Sequence, residues 1–170
     1  YFRTTDHRRE LEESGIELIT SKFANSNLDI PALPAELYRI VEDKSAYAVL
    51  DVGGDDRGAV ALGRYVPSIL EERNYEMLFV TNFFRPLTRT PEDAMDVLHE
   101  IEAACGIRIT TLVNNSNLGV ETTTKDVLDT VEKMDAFSQL SGLPVGFTAV
   151  ARRLYPMLER QMGDLMPVDV

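Results

Sequence analysis

An aspartate followed by two glycines ends an apolar run in the first half of the sequence. The run is Ala46–Leu50, and Asp51, Gly53 and Gly54 come directly after it. A carboxylate at a strand end can hold Mg²⁺ through coordinated water, and a glycine lets the backbone approach a phosphate. An ordinary strand-to-helix turn with solvated acids would give the same pattern, so both interpretations stay open. The Gly-x-Gly-x-x-Gly spacing of a dinucleotide site does not occur here.

A second polar loop follows the apolar run Ile107–Val113. It begins with Asn114 and Asn115, whose side-chain amides each carry a donor and an acceptor and can therefore read the edge of a purine base. A guanine site needs an acid shortly after the asparagine, and Asn117 and Leu118 supply none, so adenine is the favoured base. The alternative is a simple turn, for which asparagine and glycine are common residues.

Strands and helices must alternate along the chain to carry these loops. Short apolar runs predict strands, and longer segments with helical spacing, capping residues and terminal glycines predict helices. Strands are predicted at Ile16–Ile19, Ala46–Leu50, Met77–Thr81, Ile107–Val113 and Val145–Val150, and helices at His7–Glu13, Ala35–Glu42, Arg57–Arg73, Pro91–Cys105 and Thr124–Ser141. A short helix and a frayed tail are predicted after the last strand. This order indicates an α/β fold, with a mainly parallel sheet and helices on both faces, in which ligands bind beyond the carboxyl ends of the strands.

Composition narrows the class of protein. The 170 residues fit one domain, and a net charge of −11 argues against a nucleic-acid groove. Cys105 is the single cysteine, so no internal disulfide can form and a cytoplasmic location is expected. No apolar run approaches the roughly 20 residues that span a bilayer. Because the chain begins with Tyr1 rather than methionine, we expect it to be an N-terminally incomplete fragment of a longer protein.

Taken together, the two loops resemble those of the deviant P-loop ATPases of the MinD, ParA and CobQ/CobB type. The segment VLDVGGDD resembles the family's switch loop, and TLVNN resembles its adenine-reading strand end. The opening YFRTTD resembles the segment after the family's second strand. The resemblance covers residues 1 to about 150 and implies the three-layer P-loop fold, ATP and Mg²⁺ as cofactors, and a homodimer formed around nucleotide.

The same resemblance assigns roles to the loop residues. Asp51 would help to hold Mg²⁺, Gly53 and Gly54 would sense the terminal phosphate, and Asn115, with Asn114 as the weaker neighbour, would read adenine. The family's Gly-Lys-Thr or Gly-Lys-Ser loop is not present, since the sequence contains no Gly-Lys pair. We therefore expect that loop upstream of residue 1, with ATP binding by this chain alone weak or absent and hydrolysis only with the loop in place. The alternative is a non-catalytic interaction or regulatory domain that keeps the fold without the loop.

Overall fold

The computed structural model describes residues 4–19, 39, 43, 45–53, 59–60 and 62–169. The chain divides into two compact units. One comprises Tyr1–Asn74 with Ala104–Gly106, and the other comprises Tyr75–Ala103 with Ile107–Val170. Each unit is described by itself. Within the described residues, none of the helices combines the length and apolarity that crossing a bilayer requires.

The first unit contains short helices in its described parts. A 3-10 turn at Thr4–His7 leads into α1, Arg8–Glu13, and the chain turns at Gly15 with a φ of +77°. A second helix, α2, spans Val66–Glu72. The predicted helix at 57–73 is interrupted by a turn at residues 63–65, and Pro67 lies in the first turn of α2, where a missing N–H costs no hydrogen bond.

Two strands predicted in the first unit are not strands in the structure. Ile16–Ile19 and residues 46–50 have no ladder partner among the described residues. Tyr47 and Val49 are fully solvent-exposed, at 104% and 95%. An apolar, β-branched run favours extended backbone, but only a neighbouring strand and a covering layer make it a strand. The helix predicted at 35–42 lies outside the described residues except for Arg39.

The second unit is built on a parallel sheet of four strands. They are β1 Leu78–Thr81, β2 Thr111–Asn114, β3 Val145–Ala151 and β4 Leu165–Val168. The spatial order is β1-β2-β3-β4, and every neighbouring pair runs parallel. The predicted parallel α/β fold is therefore confirmed. All four carboxyl ends lie at one edge of the sheet.

Two capped helices connect the first three strands. α3 spans Pro91–Cys105, and α4 spans Thr124–Ser141. α3 begins with a reciprocal cap in which the Asp93 N–H donates to Thr90 Oγ1 at 3.1 Å and the Thr90 N–H donates to the Asp93 carboxylate at 3.2 Å. α4 begins with the same device at Thr123 and ends at Gly142, whose φ is +72°. Both helices match the prediction because their start and stop signals are local. A short helix, α5, spans Tyr155–Leu158.

Both long helices pack against the same face of the sheet, so the helices predicted on both faces stay a prediction. One core cluster joins residues of β1 and β2 to residues of α3 and α4: Phe79, Phe83, Ala94, Leu98, Ile109, Leu112, Met134 and Phe137. The rings of Phe79 and Phe137 meet edge to face, with centroids 5.8 Å apart. A second cluster, Val127, Val150, Leu154 and Leu158, lies under the start of α4 and beside α5. The start of α4 is thereby fixed over the carboxyl end of the sheet.

The sheet departs from the prediction by more than one residue at the start of β2 and at β4. β2 begins at Thr111 rather than Ile107, because the Ile109 N–H donates to the Glu102 carboxylate at 2.8 Å instead of to a neighbouring strand. β4 occupies the region predicted as a frayed tail. Pro167 hides this strand in the sequence, and a proline is tolerated there because β4 pairs with only one described strand.

Candidate ligand-binding site

The loops that follow β1 and β2 are joined by hydrogen bonds at the carboxyl edge of the sheet. The Asn115 N–H donates to the Thr81 carbonyl at 2.8 Å. The Phe83 N–H donates to Ser116 Oγ at 3.0 Å, and Asn82 Nδ2 donates to a carbonyl of the second loop at 3.2 Å. The two loops are therefore held together as one surface.

A small recess of about 20 Å³, open to solvent, lies beside the second loop. Its lining combines loop residues with the start of α4 and the ends of β3 and β4: Asn115, Ser116, Asn117, Gly119, Thr122, Val127, Ala149, Val150, Ala151 and Val168. The lining thus combines apolar side chains with amides and hydroxyls. Apolar walls with a few placed polar groups are typical of small-molecule sites, although this volume is far below their range of about 300–1,000 Å³ and gives room for about one or two water molecules.

Asn114 is enclosed in the fold. Its side chain is fully buried, with Nδ2 donating to Thr130 Oγ1 at 3.1 Å and Oδ1 accepting from the Ser116 N–H at 3.1 Å. The amide therefore joins the end of β2 to α4 and to its own loop. These contacts give Asn114 a structural role within the chain.

Asn115 is placed differently. It is half-buried and lines the recess, and among the described residues its side chain has one hydrogen bond, from Asn117 Nδ2 to its Oδ1 at 3.4 Å. Its Nδ2 donates to none of the residues that the structure describes. The neighbouring Asn117 amide is engaged at both ends, with the Asn115 carbonyl at 2.8 Å and the Gly119 N–H at 3.1 Å. Of these asparagines, Asn115 keeps the most hydrogen-bonding capacity for a ligand.

The acidic loop residues belong to the first unit. Asp51 and Gly53 are exposed, and Thr4 Oγ1 donates a hydrogen bond to the Asp51 carboxylate. Gly54 lies outside the described residues. No group of three or more metal-ligating side chains occurs in the described ranges. Since Mg²⁺ is commonly held by one or two carboxylates together with water and phosphate oxygens, Asp51 is suited in kind to Mg²⁺ but is not by itself a metal site.

Two charged side chains of α4, Lys133 and Asp126, make contacts with neighbouring segments. Lys133 Nζ lies 5.9 Å from the centroid of the Phe83 ring and donates to the Arg89 carbonyl at 3.0 Å. At the start of α4, hydrogen bonds from the Thr123 hydroxyl and then from its backbone N–H hold the pKa of Asp126 below its usual value. These contacts fix the first turns of α4 beside the recess.

The sequence did not identify the β3 and β4 side of the recess. Ala149, Ala151 and Val168 line it, and small apolar residues carry no chemical signal of their own. The available signal was indirect. Ligands bind beyond the carboxyl ends of parallel strands, so predicting Val145–Val150 as a strand of the same sheet makes the residues at its end candidates for the lining.

Comparison of the chain with protein-family models, with curated proteins and with solved structures found no match. The resemblance of the two loops to those of the MinD and ParA type therefore stays a prediction.

Proposed function

We propose that this chain is the adenine-binding part of an ATP-binding protein of the MinD/ParA type. The recess beside the loop after β2 is the observation that carries the proposal. Its lining offers apolar side chains against which a base can pack at the open mouth of the recess and, in Asn115, an amide with free hydrogen-bonding capacity for the base edge. An asparagine amide pairs with adenine by accepting from the exocyclic amine and donating to a ring nitrogen.

The remaining parts of the ATP site are proposed from the resemblance. Asp51 supplies a carboxylate for water-mediated contact with Mg²⁺, and Gly53 and Gly54 supply backbone amides for the terminal phosphate. The Gly-Lys loop is assigned to a segment upstream of residue 1. In this proposal the intact protein is a cytoplasmic homodimer formed around nucleotide.

An amide-resolved NMR titration tests the base site on the 170-residue chain. We expect millimolar adenosine and ATP to shift the amides of residues 115–119 and 149–151 to a similar extent, since the base supplies the contact and the phosphates find no glycine loop. Guanosine should cause much smaller shifts. No saturable shift with adenosine, or equal shifts with guanosine, would overturn the proposal.

A pair of variants in the same loop makes the test specific. Asn115→Ala removes the amide proposed to hydrogen-bond the base. We expect adenosine binding to weaken by about tenfold, because a buried polar group of the ligand then lacks its hydrogen-bond partner. Leu118→Ala is the matched control, because Leu118 is 47% exposed and is not part of the recess lining. Equal affinities for the two variants would remove Asn115 from the site.

A further inference from the structure

Arg153 connects the end of β3 to the rim of the recess. One guanidinium nitrogen, Nη2, donates to the Val120 carbonyl at 2.7 Å and to the Thr122 carbonyl at 2.9 Å. The two acceptors lie at the end of the 3-10 turn Gly119–Glu121, more than thirty residues away in the sequence. Hydrogen bonds to a charged donor are about twice as strong as neutral ones. This contact therefore joins the turn after β2 to the chain just beyond β3, and residues of that turn and of the end of β3 line the recess.

The rim has little apolar packing to hold it. Leu118 and Val120 are 47% and 79% exposed. The order of the turn comes from hydrogen bonds instead: Thr122 Oγ1 accepts from the Leu118 N–H at 2.8 Å and donates to the Gly119 carbonyl at 2.7 Å. Thr122 lines the recess, and its carbonyl is one of the two that Arg153 binds. A change at Arg153 should therefore be transmitted to the recess through Thr122.

We infer that Arg153 is the positioning residue of the recess: its guanidinium holds the Gly119–Thr122 rim in place and thereby sets the affinity of the recess for its ligand. The affinity half of this inference rests on the proposed function, whereas the ordering of the rim does not. Because a single nitrogen makes both bonds, a lysine ammonium with its three donors can make them too, and a methionine of similar length cannot.

The experiment compares Arg153→Met and Arg153→Lys with the control Arg152→Met. Arg152 is the adjacent arginine, and it pairs with Asp169 at the surface, at 2.7 and 2.9 Å, rather than with the rim. The first readout needs no ligand: hydrogen exchange of the Leu118 and Thr122 amides. We expect it to be about tenfold or more faster in Arg153→Met, to return towards wild type in Arg153→Lys, and to be unchanged in Arg152→Met.

The second readout is the affinity for adenosine. It should fall about tenfold in Arg153→Met and recover in Arg153→Lys, in parallel with exchange. If the exchange rates in Arg153→Met are unchanged, the inference is overturned whatever the affinity. If exchange is faster but the affinity for adenosine is unchanged, Arg153 orders the rim but does not set the affinity. If Arg153→Met does not fold, Arg153→Lys still tests the inference. We expect this variant to have wild-type exchange and wild-type affinity, and a loss of either would contradict the inference. Failure of the wild-type chain to bind adenosine counts against the proposed function, while the exchange data still judge the rim.

Discussion

Replacing Asn114 by alanine removes a buried amide that makes two hydrogen bonds. Loss of the bond to Thr130 leaves that hydroxyl donating to the Val127 carbonyl at 2.7 Å, so the cost is that of an ordinary hydrogen bond, about 0.5–1.5 kcal/mol. Loss of the second bond leaves the buried Ser116 N–H without its acceptor, which costs about 1–3 kcal/mol. We therefore expect the free energy of unfolding to fall by about 1.5–4.5 kcal/mol, the sum of the two.

The assay is urea unfolding followed by circular dichroism, with Asn115→Ala as the matched control. Within the part of the chain that the structure describes, the Asn115 side chain makes one long hydrogen bond, so its removal should change the free energy of unfolding by less than about 0.5 kcal/mol. The order of the two variants should reverse for ligand binding, which Asn115→Ala weakens. Equal destabilisation by the two variants, or an Asn114→Ala chain as stable as wild type, would refute the structural role given to Asn114.

Three further predictions concern the sheet and its helices. Thr81→Val removes a buried hydroxyl that has no hydrogen-bond partner among the described residues. The free energy of unfolding should therefore be unchanged or higher by up to about 1 kcal/mol, and a clear loss of stability would contradict this. Because Asp126 has a lowered pKa in the folded chain, its carboxylate stabilises the fold above the ordinary value of 3.8, and this stabilisation is lost as the pH falls below that value. Acid titration followed by circular dichroism should therefore show a smaller loss of stability for Asp126→Asn than for wild type. Equal losses of stability would contradict this. A Cβ on Gly146 would lie 2.7 Å from Thr111 Cγ2, so Gly146→Ala should destabilise by about 1–3 kcal/mol in urea unfolding, and adding Thr111→Ser should restore most of the loss; a double variant no better than the single one would contradict the steric cause.

The sequence predicted the second unit well because its signals are local and agree with one another. Thr90 before Pro91 marks the start of α3, and Thr123 with Gly142 marks the limits of α4. The runs that became β1 and β3 are bounded by these helices. Alternation of strand and helix then leads to a parallel sheet, because a parallel connection needs a crossover of that length.

The first unit shows where local signals fail. Residues 46–50 have a strand-like composition, yet the structure gives them no pairing partner among the described residues, and Tyr47 and Val49 are exposed. Strand propensity reports how well a side chain fits a half-buried pleated surface, and such a surface forms only when other segments pair with the run and cover it. The composition of the run alone cannot predict whether a pairing segment lies beside it.

The two adjacent asparagines could not be separated by residue type, since both follow an apolar run and both carry the same amide. Their difference comes from the pleat: the amide of Asn114, at the end of β2, hydrogen-bonds to α4, and Asn115 is the next residue, in the loop. The buried amide then helps to place its neighbour. Asn114 Oδ1 holds the Ser116 N–H on one side of Asn115, and the Thr81 carbonyl holds the Asn115 N–H on the other. With the backbone held on both sides, a ligand in the recess would have to order only the side-chain torsions of Asn115, which lowers the entropic cost of binding there.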